Sequence, residues 1–344
     1  PDNIVNSLFI DRTGVLWIGT ENKGLCFLDL YAKKFRSIIQ EAGGLSDNLV
    51  TALTGGQSVL YAGTASSGID IFRIEGKRFY KLGNIPRVVI GAGRWKKEVS
   101  ALCLDSDSNL WIGTATNRLV VLNRNGSSDS YVVNGFVFSL LEDKEGRIWF
   151  GTWGQGFGYI DKRTRNIVQY YDTPITVLGL ESDKVIALLI DSHGLLWVGT
   201  KGGGLSVARI DDILQRRVRF RTFMHDPEDE TSLAYNDVYG IREDREGRIW
   251  IATGKGLNML DHETVGNVLD SKVVFQHIGE DDELHGGLVY SILEDNSGHL
   301  WIGTNRGLCR YSHKGGKVVN YDSNDGLPCS GFKPNSAFLN PHTG

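Results

Sequence analysis

Proline and methionine are scarce in this 344-residue chain, with 7 and 2 copies, and its only cysteines are Cys26, Cys103, Cys309 and Cys329. None of the four forms a Cys-x-x-Cys pair, so their spacing points to neither a zinc site nor a disulfide scaffold. No stretch reaches the roughly 18 consecutive apolar residues that would span a bilayer. The opening Pro1-Asp2-Asn3 does not read as a secretory leader. With a formal charge of −4 and both signs interspersed, the chain lacks the basic face that nucleic acid or an anionic membrane surface would require. Its densest basic run, Gln215 to Arg221, reads as a strand entry with alternate residues facing solvent.

Chemical motifs are missing too. There is no Gly-x-Ser-x-Gly elbow, phosphate-binding loop, dinucleotide fingerprint or His-Glu-x-x-His pair. Asp105-Ser106-Asp107 resembles the start of a calcium loop, but Leu110 stands where glycine is needed and Thr116 where the terminal glutamate belongs. The acidic runs Asp226 to Glu230 and Glu280 to Glu283 read as solvated loops. No catalytic residue, metal site or cofactor is therefore expected. A missing linear motif does not exclude catalysis assembled in three dimensions, so a propeller lyase or glycoside hydrolase stays as an alternative.

What the chain has is glycine, 43 copies, and a phrase of the form Asp-x-x-Gly-x-Leu-Trp-Ile-Gly-Thr. Clear copies run Asp11 to Thr20, Asp105 to Thr114, Asp143 to Thr152, Asp191 to Thr200, Asp244 to Thr253 and Asp295 to Thr304. A degenerate copy, Gly55 to Thr64, has glycine for the aspartate, Ser58 for the glycine and Tyr61 for the tryptophan. Trp17, Tyr61, Trp111, Trp149, Trp197, Trp250 and Trp301 are thus equivalent, 38 to 53 residues apart. That period suits one four-stranded antiparallel propeller blade per repeat, and helical periodicity is nearly absent. The expected fold is all-β, a seven-bladed β-propeller of four-stranded antiparallel blades, forming a single domain over residues 1–344. The start of a further repeat is read at 335–344. Asn6 to Ile10 and Ser336 to Leu339 both look like the first strand of a repeat and compete for one slot in the closing blade.

Within each repeat the aspartate is expected to cap its own turn and the glycine to adopt positive φ. The repeated aromatic is expected to pack between neighbouring blades, because one sheet cannot bury both of its faces alone.

The last copy, Val289-Tyr290-Ser291-Ile292-Leu293 through Leu308, closely resembles the two-component regulator propeller repeat, and the resemblance extends over essentially the whole chain. It implies the periplasmic sensor region of a hybrid two-component system of Bacteroidetes. Such an inner-membrane protein detects polysaccharide breakdown products, with adjacent propeller and β-sandwich domains and a histidine kinase in the parent. It leaves room for a homodimeric parent. The segment itself is expected to be no enzyme, to insert into no membrane and to contact no nucleic acid.

Strand reversal places the turns after Thr and the connections between blades on one face, which gathers the longer loops and suits ligand binding. Trp95 and Trp153 fall there outside the structural pattern and could stack on a sugar. Arg94, Lys201, Tyr235, Asn305 and Arg306 could supply hydrogen bonds and charge. The bland reading is that Trp95 packs its own loop, Trp153 plugs the central channel, and the polar residues are merely solvated. A protein-interaction or structural propeller is the alternative to an oligosaccharide sensor.

Overall fold

The aspartate of the repeat governs the local structure. In the computed structural model, Asp191 Oδ1 accepts the backbone N–H groups of His193 and Leu195, both at 2.9 Å, which closes the turn. Its Oδ2 accepts the indole N–H of Trp197 at 2.8 Å. The same indole bond joins Trp111 to Asp105, Trp149 to Asp143, Trp250 to Asp244 and Trp301 to Asp295, at 2.6 to 2.9 Å. One carboxylate thus fixes both the first hairpin and the orientation of the large side chain six residues on.

The structure describes residues 35, 37–75, 78–87, 99–171, 179–327, 332 and 337, together with the backbone of strands Val5–Ile10, Val15–Thr20 and Leu25–Asp29. Six sheets have four strands each in simple meander order. Their innermost strands are Val50–Gly55, Val99–Leu104, Phe136–Glu142, Val185–Ile190, Val238–Glu243 and Val289–Glu294. We number these blades one to six. Consecutive inner strands contact one another, so they line a common axis. Two one-turn helices, Ile210–Leu214 and His262–Gly266, interrupt an otherwise all-β chain.

The expectation of seven four-stranded blades is corrected here: among the described residues there are six. The first repeat forms a sheet of three strands, Val5–Ile10, Val15–Thr20 and Leu25–Asp29. Among the described residues that follow, Ile39 and Gln40 make loop bonds. Ile39 C=O accepts the Leu45 N–H at 2.9 Å, and the Gln40 N–H goes to Asn48 Oδ1 at 2.6 Å. Phe35 meets Tyr321 of blade six edge to face at 5.3 Å. The contact resembles that between Phe223 and Phe275 of blades four and five, at 5.5 Å.

The buried indoles sit between sheets. Trp111 lies with Val137, Ile148 and Phe150 of the next blade. Trp149 lies with Val185, Leu196 and Val198, and Trp197 with Val238, Ile249 and Ile251. Trp250 faces Ile302 and Tyr311. Each removes about 200 Å² from water, a gross gain of about 5 kcal/mol. Trp301 is half-buried and stacks on Tyr321 at 5.7 Å, and Tyr61 is half-buried. The side chain of Trp17 lies outside the described residues.

The glycine of the Gly-Thr pair is required by the same packing. A β-carbon on Gly63, Gly113, Gly151 or Gly199 would stand 2.5 to 2.9 Å from the Cγ1 of Val99, Val137, Val185 or Val238, the valine that starts the next inner strand. Gly303 has Phe332 in that place, with Cγ at 3.1 Å. Of the span 335–344 only Ala337 is described, so the competition for a closing strand falls outside the described residues.

Blades are also joined through carboxylates at the ends of inner strands. Glu142 accepts the Ser106 N–H at 2.6 Å, Glu243 the Ser192 N–H at 2.9 Å and Glu294 the Arg245 N–H at 3.0 Å, each from the turn of the preceding blade. Lys162 adds ion pairs to Asp107 at 2.7 Å and Glu142 at 2.5 Å.

Replacing Asp191 by alanine should cost about 3 kcal/mol, because three donors around a buried position lose their acceptor; a shift in the urea midpoint measures it. Acid should act on the same bonds. Burial pushes the carboxyls of Asp105, Asp244 and Asp295 upward, but the N–H donors around them outweigh it and hold each below the ordinary 3.8. Their stabilisation is therefore complete above that value and is lost as pH falls through the lower folded-state values. A pH series of unfolding midpoints should decline steeply only below about pH 4.

Candidate functional site: the axial mouth of the loop-bearing face

Every sheet carries a register shift at the start of its inner strand, between Val5 and Ser7, Val50 and Ala52, Val99 and Ala101, Val137 and Ser139, Val185 and Ala187, Val238 and Gly240, and Val289 and Ser291. The extra residue of each bulge is Asn6, Thr51, Ser100, Phe138, Ile186, Tyr239 or Tyr290. A bulge re-aims the side chain it inserts, and here it does so at one end of the strands that line the axis.

The bulged residues divide by chemistry. On blades one and two they are hydroxyls tied to the next inner strand: Thr51 Oγ1 donates to Val99 C=O at 2.5 Å, and Ser100 Oγ donates to Val137 C=O. On blades three to six they are Phe138, Ile186, Tyr239 and Tyr290. Phe138 contacts Trp153 at 5.3 Å, and Tyr239 meets Tyr290 edge to face at 5.2 Å. Aromatic surface is thereby concentrated on one side of the mouth.

Lysines flank it. Trp153, 37% exposed, forms an isolated bridge to Lys184, whose ammonium lies over the indole at 5.6 Å from the ring centroid. The Lys184 carbonyl accepts the Lys201 N–H at 2.9 Å, so Trp153 and Lys201 are held on either side of one residue. Lys201 Nζ pairs with Asp237 and bonds the Tyr239 hydroxyl at 2.9 Å. Burial works to lower the Lys201 ammonium, yet Asp237 and Tyr239 outweigh it and carry its pKa above the ordinary lysine value. Burial raises the Tyr239 phenol. Both groups keep their protons at neutral pH and offer hydrogen-bond donors and charge rather than acid–base chemistry.

The other expected residues are dispersed. Tyr235 is 44% exposed and lies against Gly254, its Cδ1 2.5 Å from where a β-carbon would stand. Asn305 is turned inward to the loop, its amide oxygen 3.4 Å from the Leu288 nitrogen. Arg306 is exposed, 3.9 Å from Glu280. Arg94 and Trp95 lie outside the described residues. Sequence reasoning missed Phe138, Lys184, Tyr239 and Tyr290; for the three aromatics the signal was the one variable position directly after the valine that opens each repeat.

A cavity of about 670 Å³ opens farther out between the loop around Asp226 and that around Asp281. Three of its carboxylates cap their own turns: Asp226 accepts from Glu228, Asp229 from Thr231 and Asp282 from Gly279. Among the described residues no group of three or more His, Cys, Asp or Glu is arranged to hold a metal ion.

Repeated sheets with structural tryptophans outside and variable bulged residues at the axis define a repeat propeller that presents a surface. The repeats at 1–22, 95–116, 131–154, 179–202, 232–255 and 283–306 match the family model described as two component regulator propeller. The chain is 26% identical over 305 residues to Histidine kinase P4 of Formosa agariphila, across 85% of this chain and 21% of that protein. The extracellular domain of the hybrid two component system BT3049 from B. thetaiotaomicron superposes with a TM-score of 0.74 at 25% identity, over 96% of this chain and 42% of that one. PorZ, a surface component of the type-IX secretion system of Porphyromonas gingivalis, gives 0.65 at 16% identity over 95% and 49%, a likeness of fold alone. The chain thus spans less than half of each of these relatives. It is a propeller of the kind that hybrid two-component systems carry. No helix among the described residues is long and apolar enough to cross a membrane.

Two thiols have no part in this surface. Burial, with Glu142 and Asp105 nearby, pushes Cys103 up to about 12, and burial pushes Cys309 up to about 11. Both should resist maleimide at pH 7 in the native protein and label fully once it is denatured, as peptide mapping by mass spectrometry would read.

Proposed function

We propose that this chain is the ligand-sensing propeller of a periplasmic sensor region in a longer hybrid two-component protein with a histidine kinase. Its ligand is an oligosaccharide released from a polysaccharide, bound at the axial mouth of the loop-bearing face. The observation that carries the reading is the set of Phe138, Tyr239 and Tyr290, re-aimed by backbone bulges at the same end of their inner strands, with Trp153 packed on Phe138. Pyranose rings present apolar C–H faces that stack on aromatic rings and hydroxyls that bond polar groups beside them. Lys201 and the tyrosine hydroxyls supply such partners. The likeness to an extracellular domain of a hybrid two component system supports the location, and the likeness to a histidine kinase supports the parent.

In this reading the adjacent propeller and β-sandwich domains of the parent receive the signal, which requires that the ligand favour one arrangement of the parent over another. Calorimetry against oligosaccharides from plant and host polysaccharides should find saturable binding without product formation. Trp153→Ala and Tyr239→Ala should each weaken that binding about tenfold or more, the scale of a lost stacking ring. The thermal midpoint of Trp153→Ala should hardly move, since its ring is partly exposed. Equal affinity in both variants, or binding only by a protein partner, would defeat the proposal.

A further inference from the structure

The indole that the proposed site offers to a sugar is already in use. Phe138 packs on Trp153 at 5.3 Å, and the Lys184 ammonium lies over the ring at 5.6 Å. Lys184 is exposed, and among the described residues it has no carboxylate within ion-pair distance. The neighbouring Lys201 is neutralised by Asp237. Two lysines therefore stand at the mouth in different electrical states, one paired with a carboxylate and one, among the described residues, held by an aromatic face.

That difference selects among ligands. A cation–π contact at an exposed position is weak, so the ammonium leaves the indole readily when a better partner arrives. A neutral sugar that stacks on Trp153 must displace the ammonium and offers it only hydroxyl acceptors, weaker partners than a charged group. A sugar with an anionic group draws the ammonium off the ring into a charge-assisted hydrogen bond and uncovers the indole by the same movement. Lysine is a compact charge with freely rotating donors rather than a planar fork, so a carboxylate and a sulfate ester would satisfy it alike.

Resting on the sensing reading above, we infer that Lys184 and Trp153 form a subsite for an anionic saccharide unit, with Lys184 covering the indole until the anion withdraws it. The neutral tyrosine pair at Tyr239 and Tyr290 would accommodate the rest of the chain.

The test uses the full chain and two families of probes: uronate-containing oligosaccharides with their carboxyl-reduced counterparts, and sulfated oligosaccharides with their desulfated counterparts. Calorimetry of the wild type should show at least one anionic probe binding about tenfold or more tighter than its neutral counterpart; which family does so identifies the anion. Lys184→Met should lose most of that preference and bind the neutral counterpart a few-fold tighter, because the ring is no longer covered, while Lys184→Arg should retain the preference. Neutral probes binding the wild type as well as or better than the anionic ones would overturn the inference and leave the oligosaccharide reading standing. An anionic preference that persists in Lys184→Met would remove Lys184 from it. Failure of every probe, neutral and anionic, would overturn both.

Discussion

The bond from a tryptophan indole to the carboxylate six residues before it is the interaction on which the rest of this molecule depends. The aspartate lies at the turn between the first two strands, where its other oxygen already holds two backbone N–H groups. By anchoring the indole it fixes a bulky plate at one angle on the face of the sheet, and the next blade packs against that plate. A charge that is nearly removed from solvent is tolerated because every one of its donors is local and preorganised. The repeat is therefore a device for presenting a flat aromatic surface at a fixed orientation, and the ring follows from placing such surfaces in succession.

Much of this was legible from residues alone. The period of the Trp-x-Gly-Thr phrase marks where sheets recur, and the need to bury both faces of a sheet places Trp111, Trp149, Trp197 and Trp250 between neighbours. The indole bond was not legible, since it spans a hairpin and depends on side-chain direction. Nor was the role of Glu142, Glu243 and Glu294, which stand directly before an aspartate but act on the preceding blade. Nor was it legible that the first repeat shows three strands among the described residues, with Ile39 and Gln40 making loop bonds after it.

The candidate site was half legible. Trp153 and Lys201 stood out by composition and position, and the structure brings them together through Lys184. Asn305 looked equally suitable, yet its amide oxygen faces the Leu288 nitrogen of its own loop. Phe138, Tyr239 and Tyr290 went unnoticed because each lies within a strand, a context in which aromatics are ordinarily core residues. Their common position becomes visible only when the bulges are aligned. The positions that hold the scaffold repeat faithfully, and those that face the axis vary from blade to blade, so recognition can change without touching the packing.

The glutamates at the ends of the inner strands have a mechanical meaning. Because each one grips a turn that belongs to the blade behind it, no such interface can spread without pulling on a charged anchor at the edge opposite the binding mouth. A push at the mouth is resisted by tension across the ring at its far side, as in a barrel held by hoops. Blades three, five and six are each clamped in this way to the blade before, so under the proposed sensing role a ligand seated among them would meet a stiff wall, and the displacement would be passed outward as motion of the whole piece instead of being absorbed within it.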